Sequence, residues 1–260
     1  MLHHEISGNG KKPLVLLHGF MENTTIWNEM EAHLSKDFTL IKIDLPGHGK
    51  SKVYQEIHTV ELMAEKVKEV IDALKLEKIN LLGHSLGGYV SLAFAENFPE
   101  ILESMTLFFS TTVADDEEKK AIRRRSIAVI DENFETFVKT SIPNLFSNNE
   151  KDILEGKIEL AKNIAKSTNK EGVKAAQLGM AERPDRTEIL ENLDAKILII
   201  AGKYDNAVKT ENLLKTIPEK TNIKTYVLDC GHNGHWEKPT ICAEIINTEL
   251  FHNLPKHFLL

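Results

Sequence analysis

The sequence predicts an α/β fold with a mostly parallel, doubly wound sheet and one inserted helical block. Short apolar runs bounded by turn residues alternate with segments of helical periodicity through the first part of the chain. The alternation stops for a long, charged stretch of purely helical pattern and then returns. At 260 residues, of which 42% are hydrophobic, the chain is long enough for one such domain carrying an insertion.

Each predicted strand of the first part is a short apolar run that ends at turn residues. Pro13–Leu17 is continuously apolar, as expected for a strand buried on both faces, and it stops at a His-Gly pair. Phe38–Ile43 is closed by a turn-rich segment that begins at Asp44. Ile79–Leu82 and Met105–Phe109 repeat the pattern. Because helical segments separate these runs, we expect the strands to pair in parallel.

The segments between these strands have apolar residues at helical spacing. They predict helices over Trp27–Leu34, Leu62–Leu74 and Leu86–Phe98. Thr24 and Thr25 offer caps for the first helix, and a proline stops the third. Strand and helix therefore alternate as they do in βαβ units.

A block of helical patterns rich in charge interrupts this alternation over residues 112–193. The helices predicted in the block are Asp116–Val129, Phe134–Thr140, Glu150–Lys166 and Lys170–Met180. Strands return at Lys196–Gly202 and Ile223–Leu228. We therefore expect residues 1–111 and 194–260 to form the core domain, with 112–193 as a helical cap, or lid, over the carboxyl edge of the sheet.

The composition argues against several classes of function. A net charge of −7 disfavours nucleic acid and anionic membrane as partners, because phosphate binding needs a basic surface. Cys230 and Cys242 are too few for a disulfide framework. The first residues show no signal peptide, and no apolar run approaches the ~20 residues that span a bilayer. We expect a cytoplasmic protein, a monomer or homodimer, that binds neither nucleic acid nor membrane.

The most informative motif is Gly83–Gly87, which has the form G-x-S-x-G with Ser85 at its centre. It follows the strand Ile79–Leu82 directly and opens a predicted helix. A serine in this context occupies a sharp turn that exposes its Oγ above the sheet, and the glycines relieve the crowding. Ser85 is therefore the predicted nucleophile.

A serine hydroxyl is a weak nucleophile unless a base takes its proton, and that base works best beside a carboxylate that fixes its tautomer. In a parallel sheet these groups belong in loops at the carboxyl ends of strands. Just past the last predicted strand, His232 directly follows Gly231, in a short turn from which its ring could reach Ser85 as the base. His235 is the competing candidate.

The predicted acid is Asp205, which comes just after the strand Lys196–Gly202 and so lies at the expected edge of the sheet. Asp229 is too near His232 in sequence for its carboxylate to reach the far imidazole nitrogen easily. Asp115 and Asp116 are weaker alternatives. The chain order Ser, Asp, His is the one expected of a hydrolase with this architecture.

Acyl transfer also needs two backbone donors aimed at the oxyanion. We expect these to be the N–H groups of Leu86, at a helix start, and of Phe20, in the loop after the first predicted strand. His84, His235 and Trp236 are expected to line or buttress the site. His18 is a fourth candidate for the lining, although bonds to loop backbone are its favoured role. The histidines lack metal-site spacing, so we expect no metal.

The basic run Arg123–Arg125 in the predicted cap has two interpretations. It could gather an anionic substrate or carrier at the lid. The favoured interpretation is a solvated helix face paired with the acidic residues at 115–118.

With these motifs in place, the chain resembles the α/β-hydrolase fold family over essentially its whole length. It is most similar to small cofactor-free serine esterases and enol-lactonase-like members with a helical cap. The motifs that carry the resemblance are His18-Gly19-Phe20, Asp44–Ser51, Gly83–Gly88, Gly202–Asp205, and Gly231-His232 with Glu237-Lys238-Pro239 behind it. The resemblance implies His232 as the base, and it implies no cofactor.

The sequence thus predicts a serine hydrolase that cleaves a carboxylic ester or related small-molecule acyl compound through Ser85, His232 and Asp205. C–C bond hydrolysis, enol-lactone or thioester hydrolysis, acyl transfer and a lyase reaction on the same residues remain open. A ligand receptor on a hydrolase fold is the alternative outside enzymes, because fold alone does not fix function.

Overall fold

A computed structural model describes residues 1–251 and contains one seven-stranded sheet. The strands are β1 (His4–Ser7), β2 (Lys12–Leu17), β3 (Phe38–Ile43), β4 (Ile79–His84), β5 (Leu102–Phe108), β6 (Lys196–Gly202) and β7 (Ile223–Leu228). Their spatial order is β1-β3-β2-β4-β5-β6-β7. β1 pairs with β3 antiparallel, and all other neighbours are parallel. The mostly parallel sheet predicted from the sequence is confirmed.

The helices cover both faces of this sheet. They are α1 (Asn28–Leu34), α2 (Val60–Ala73), α3 (Leu86–Asn97), α4 (Glu117–Ser141), α5 (Lys151–Ser167), α6 (Lys170–Glu182), α7 (Glu188–Asn192), α8 (Thr210–Leu214), α9 (Gly234–Glu237) and α10 (Pro239–Ile246). Alternate residues of β2 show the two layers, since Val15 and Leu17 pack with α2 and α3, whereas Leu14 and Leu16 pack with α1 and α10. Burial on both faces explains the largely apolar sequences of β2, β4 and β6.

The first strand was missed by the sequence analysis. β1 is a four-residue edge strand in which Ile6 is exposed, so it has neither an apolar run nor a buried face to signal it. The start of the first helix also differs from the prediction. Asn23, rather than Thr24 or Thr25, is the cap, and its side chain accepts the N–H of Thr25 at the start of a 3-10 turn.

Between β5 and β6 the described chain contains helices α4–α7 and short 3-10 turns. The two helices predicted at Asp116–Val129 and Phe134–Thr140 are the halves of α4, which is broken at Asn133 (φ −154°, ψ 84°). The Asn133 side chain accepts the N–H of Thr136 at 2.9 Å and so caps the second half. No helix in residues 1–251 combines the length and apolar character needed to cross a bilayer.

Helix α6 lies directly against the loop between β3 and α2. The N–H of His58 donates to the Ala175 carbonyl oxygen at 3.0 Å. A Cβ on Gly179 would lie 1.7 Å from the His58 carbonyl oxygen, and one on Gly172 would lie 2.2 Å from the Gly47 carbonyl oxygen. Gly172 and Gly179 therefore allow the backbone of α6 to pack directly against the backbone of the loop between β3 and α2.

This contact predicts opposite effects for two helical glycines. Gly179→Ala should destabilise the protein by about 1–3 kcal/mol, because its methyl group has no room. Gly156→Ala, in α5 where a Cβ meets nothing within 4 Å, should be neutral or stabilising by up to about 1 kcal/mol. Urea unfolding of both variants measures the difference. Equal stability of the two would contradict the close packing of α6.

Candidate active site

Ser85 occupies the turn between β4 and α3 in a strained backbone conformation. Its φ of 49° and ψ of −110° lie where non-glycine residues are rare, a strain of roughly 1–3 kcal/mol. The turn closes only because its neighbours are glycines. A Cβ on Gly83 would lie 2.2 Å from the Gly87 carbonyl oxygen, and one on Gly87 would lie 2.4 Å from the Leu17 carbonyl oxygen. The predicted sharp turn at Gly83–Gly87, which we call the elbow, is thus formed, with Ser85 only partly buried.

His232 and Asp205 reach Ser85 from the loops after β7 and β6. His232 Nε2 lies 2.8 Å from Ser85 Oγ, and His232 Nδ1 lies 2.7 Å from Asp205 Oδ2. The carboxylate can only accept, so Nδ1 carries the proton and Nε2 accepts from the serine hydroxyl. The structure therefore places the three predicted side chains in one hydrogen-bonded line, with the base ready to take the serine proton.

The backbone fixes both supporting residues. The second carboxylate oxygen of Asp205 accepts the N–H groups of Ala207 and Val208 at 2.8 and 2.9 Å. The N–H of His232 donates to the carbonyl oxygen of Leu145, in the segment between α4 and α5, at 2.7 Å. The loop after β7 that carries His232, which we call the base loop, is therefore hydrogen-bonded to the helical segment (residues 112–193) as well as attached to the sheet.

Glu237 fixes the backbone of the loop that carries His232 through hydrogen bonds, a role that was not predicted from the sequence. Its buried carboxylate accepts the N–H groups of Gly231 (2.8 Å), Asn233 (3.1 Å) and Ser147 (3.1 Å). Burial raises the pKa of Glu237 more than these hydrogen bonds lower it. The only sequence signal was the position of Glu237 in a motif shared with the resembled family.

The alternative acids lie elsewhere. Asp115 forms ion pairs with Arg123 and, at 3.0 Å, with Arg183. Burial alone would raise the pKa of Asp115, but the two arginines lower it to about 2. Asp229 is exposed and pairs with Lys203 at 3.2 Å. Asp205 is therefore the carboxylate that faces the imidazole of His232.

A buried group of Glu22, His84 and His235 lies next to Ser85. His84 Nδ1 is 2.8 Å from Glu22 Oε2, and His84 Nε2 is 3.0 Å from the carbonyl oxygen of His232. His235 Nε2 lies 3.7 Å from Glu22 Oε1. Among the described residues, neither ring nitrogen of His235 has a hydrogen-bond partner. His235, the competing candidate for the base, thus faces Glu22.

Burial penalises charge throughout this group, yet Glu22 and His84 attract each other strongly enough to overcome it. Burial alone would raise the pKa of Glu22, but His84 lowers it to about 2. Burial likewise opposes the charged form of His84, but Glu22 attracts and hydrogen-bonds that form, leaving the pKa of His84 raised. Burial, reinforced by repulsion from His84, holds the pKa of His235 well below its ordinary value.

This grouping is invisible in the sequence because its members lie far apart along the chain. Their nitrogen and oxygen atoms lie within 4.8 Å of one another, a spacing compatible with a shared cation. The prediction of no metal was based on the spacing of histidines along the sequence, and such spacing says nothing about a group whose members come together only in the fold. The expectation of no metal stays a prediction.

A cavity of about 340 Å³ opens above Ser85 between the sheet and the helical segment. Its sheet side includes Phe20, Glu22, His84, Ser85 and His232, and its other side includes Lys119, Ile122, Arg123, Phe137, Leu145, Gln177 and Met180. Residues from both parts of the chain therefore enclose the space in which a substrate would meet Ser85.

Of the four residues considered for the lining, His84 is part of the cavity wall, whereas the other three lie buried behind it. His18 donates from Nδ1 to the Gly19 carbonyl oxygen and accepts the N–H of Leu45 at Nε2, so it joins two loops. Trp236 stacks on Phe146 with the ring centroids 6.1 Å apart. His18, His235 and Trp236 are therefore buried packing and hydrogen-bonding residues rather than part of the cavity wall.

The two candidate oxyanion donors flank Ser85. Leu86 is the first residue of α3, and Phe20 is in the cavity wall. No described residue accepts a hydrogen bond from either N–H. Both donors are therefore free for a ligand, and the positive end of α3 favours an anion beside Leu86.

The chain is similar to known proteins in both sequence and fold. Residues 12–239 match the family described as the alpha/beta hydrolase fold. A thermophilic esterase from Thermogutta terrifontis, solved with malate bound, is 33% identical, with a TM-score of 0.88 over 95% of this chain and 91% of that one. The 2-hydroxy-6-oxononadienedioate/2-hydroxy-6-oxononatrienedioate hydrolase of Escherichia coli is 26% identical over 91% of this chain and 86% of that protein.

An uncharacterised protein of Mycobacterium tuberculosis is 35% identical over 111 residues. That match spans 43% of this chain and only 32% of the mycobacterial protein. The family match, in contrast, covers most of the chain and agrees with the sheet order and the elbow. The chain therefore belongs to the α/β-hydrolase fold family, and the resemblance seen in its motifs is confirmed.

Proposed function

We propose that this protein is a serine hydrolase that cleaves a carboxylic ester or a related acyl compound through an acyl-enzyme. The observation that carries the proposal is the continuous line from Ser85 Oγ through His232 to Asp205, with contacts of 2.8 and 2.7 Å. Such a line activates an alcohol at neutral pH because the base takes its proton as it attacks. The similarity to an esterase over almost the whole chain supports the same reaction.

In the first step Ser85 Oγ attacks the substrate carbonyl carbon while its proton moves to His232 Nε2. The carbonyl oxygen becomes an oxyanion that the N–H groups of Phe20 and Leu86 stabilise. The tetrahedral intermediate collapses, the bond to the leaving oxygen breaks, and His232 gives its proton to that oxygen. Asp205 stabilises the transient imidazolium and remains ionised.

In the second step water repeats the attack on the acyl-enzyme. His232 takes a proton from the water as its oxygen bonds to the acyl carbon, then returns a proton to Ser85 Oγ as the acyl bond breaks. Residues 112–193 act as the cap in this proposal, because they supply one wall of the cavity and limit water around the reacting atoms.

The cavity favours an acyl substrate that carries a negative group away from the ester bond. Lys119 and Arg123 both line it, and their shared partner Asp115 also binds Arg183, so cations outnumber this carboxylate. Two relatives support the same chemistry. The Thermogutta terrifontis esterase holds malate, a dicarboxylate, and the Escherichia coli hydrolase is named for a dioate.

Hydrolysis of a C–C bond, an enol lactone or a thioester, and a lyase reaction, would use the same residues. These alternatives differ in the leaving group, and the position of Ser85, His232 and Asp205 does not select among them. A non-catalytic ligand receptor is disfavoured, because a receptor has no need for a hydrogen-bonded base and acid beside a strained serine.

The first prediction concerns the nucleophile. Ser85→Ala should lower turnover of a short-chain p-nitrophenyl ester by at least about 10⁴-fold, because no acyl-enzyme can form. A fluorophosphonate probe should label the wild type at Ser85 and leave the variant unlabelled. Circular dichroism checks that the variant is folded. Unchanged turnover in the folded variant would remove the proposal.

The second prediction concerns the acid. Asp205→Asn should lower kcat by about 10⁴-fold with little change in KM, because the amide stabilises the wrong imidazole tautomer. Asp229→Asn, at an exposed carboxylate in the same region, is the matched control and should leave kcat unchanged. A similar loss in both variants would argue that charge near the loop, rather than the contact with His232, matters.

The third prediction concerns substrate charge. Lys119→Met should raise KM for a p-nitrophenyl hemisuccinate relative to its neutral methyl ester by roughly 5- to 30-fold, since one cation contributes about 1–2 kcal/mol. Lys120→Met, next along α4 and paired with Glu117, is the control and should leave the ratio unchanged. An unchanged ratio in the Lys119 variant would exclude this recognition.

A further inference from the structure

The imidazole of His84 lies between the Glu22 carboxyl group and the carbonyl group of His232. When Glu22 is ionised, both of these groups accept hydrogen bonds and neither can donate one. His84 Nε2 lies 3.0 Å from the carbonyl oxygen of His232, and its Nδ1 lies 2.8 Å from Glu22 Oε2. A neutral imidazole has one N–H and one lone pair, so it would turn the lone pair toward one of these acceptors. A second proton is needed in the pair, on Nδ1 or on the carboxyl group.

The surroundings place that proton on His84. Glu22 Oε2 also accepts the N–H of Gly19 at 2.5 Å, and an acceptor with two donors is best satisfied as a carboxylate. The charged and titratable groups around the pair are His18, Asp205, His232 and His235. His235 Nε2 lies 3.7 Å from the other carboxylate oxygen, Glu22 Oε1, beyond hydrogen-bond distance.

The same pair supports the loop that carries the candidate oxyanion donor. A Cβ on Gly19 would lie 2.7 Å from both Glu22 Oε2 and His84 Nδ1. The Gly19 backbone therefore rests directly on the pair, and Phe20 follows it in the chain. His84 in turn precedes Ser85 and bonds the backbone of His232. The buried contact between Glu22 and His84 thus links the loop that carries Phe20, the turn at Ser85 and the loop that carries His232.

We propose that Glu22 and His84 are positioning residues that form a buried carboxylate–imidazolium pair fixing the oxyanion donor of Phe20 relative to the base His232. This inference rests on the proposed function for its kinetic consequence, but its protonation state is independent of any reaction. Glu22 and His84 act through Gly19 and through the His232 carbonyl group. Neither takes part in the proton transfers.

The first experiment reads the protonation state. Nitrogen-15 NMR of the wild type, about two pH units above the ordinary imidazole pKa of about 6.5, should show both nitrogens of His84 protonated. In Glu22→Gln the amide can donate to Nδ1, so His84 should become the neutral Nε2–H tautomer. His84→Asn assigns the signal. A neutral His84 in the wild type would overturn the proposal.

The second experiment reads positioning. Glu22→Leu removes both the carboxylate and its bond to Gly19, and should lower kcat on the order of 10²-fold with KM little changed. It should weaken a boronic-acid transition-state analogue in proportion to kcat/KM. Glu22→Gln keeps the side-chain volume and one hydrogen bond, to His84, but the same amide group cannot also accept the N–H of Gly19. Its kcat should therefore lie between those of Glu22→Leu and the wild type. Ser104→Ala removes a buried hydrogen bond to Asn80, at the amino-terminal half of β4 and β5, and should leave kcat unchanged.

Three outcomes would overturn the proposal. Glu22→Leu with wild-type kcat would show that the pair does not position the site, and Glu22→Gln as inactive as a folded Glu22→Leu would show that the contact with His84 does not contribute to positioning. One equivalent of divalent metal in the purified protein, lost in His235→Ala, would place a metal ion where we place a proton. Fluorophosphonate labelling of wild-type Ser85 separates these failures from failure of the proposed hydrolase function. If Glu22→Leu does not fold, the NMR result and Glu22→Gln still decide.

Discussion

The strained turn at Ser85 is the constraint on which the rest of the site depends. A residue with φ of 49° between β4 and α3 lifts its hydroxyl above the carboxyl edge of the sheet. This conformation needs glycine at 83 and 87, because backbone atoms occupy the space of their side chains. In a parallel sheet the loops after β6 and β7 open at that same edge, so Asp205 and His232 can reach the hydroxyl. The sheet topology thus brings Asp205 and His232 close to Ser85, and the turn orients the Ser85 hydroxyl toward them.

The parts that could be predicted from sequence are those in which one local signal decides the structure. The bounds of Phe38–Ile43 and Ile223–Leu228 match β3 and β7 in full, because both segments are rich in β-branched and aromatic residues and lie between turn residues. Asp205 could be selected because its position after a strand places it at the carboxyl edge of the sheet, whereas the choice of His232 over His235 depended mainly on the family resemblance. Edge strand β1 could not, since its four residues are half exposed and lack periodicity.

Contacts made by tertiary packing were out of reach for the sequence analysis. Glu22 meets His84 only when the loop after β2 folds onto the elbow, and Glu237 meets Ser147 only when the helical segment closes on the base loop. Sequence position carries no trace of such contacts. The same limit applies to the cavity wall, because residues on both sides of the break at Asn133 in α4, such as Arg123 and Phe137, line it only after the helix has packed.

The distribution of charge separates chemistry from recognition in this molecule. In the proposed pair, Glu22 and His84 neutralise each other, so the net charge beside Ser85 is that of the Asp205 carboxylate. Across the cavity, Lys119, Arg123 and Arg183 surround Asp115, and one positive charge remains even when Asp185, which attracts Arg183, is counted. In the proposed function, attraction for an anionic substrate therefore comes from the helical segment. Substitutions of Lys119 or Arg123 in that segment would then change the substrate preference without altering Ser85, His232 or Asp205.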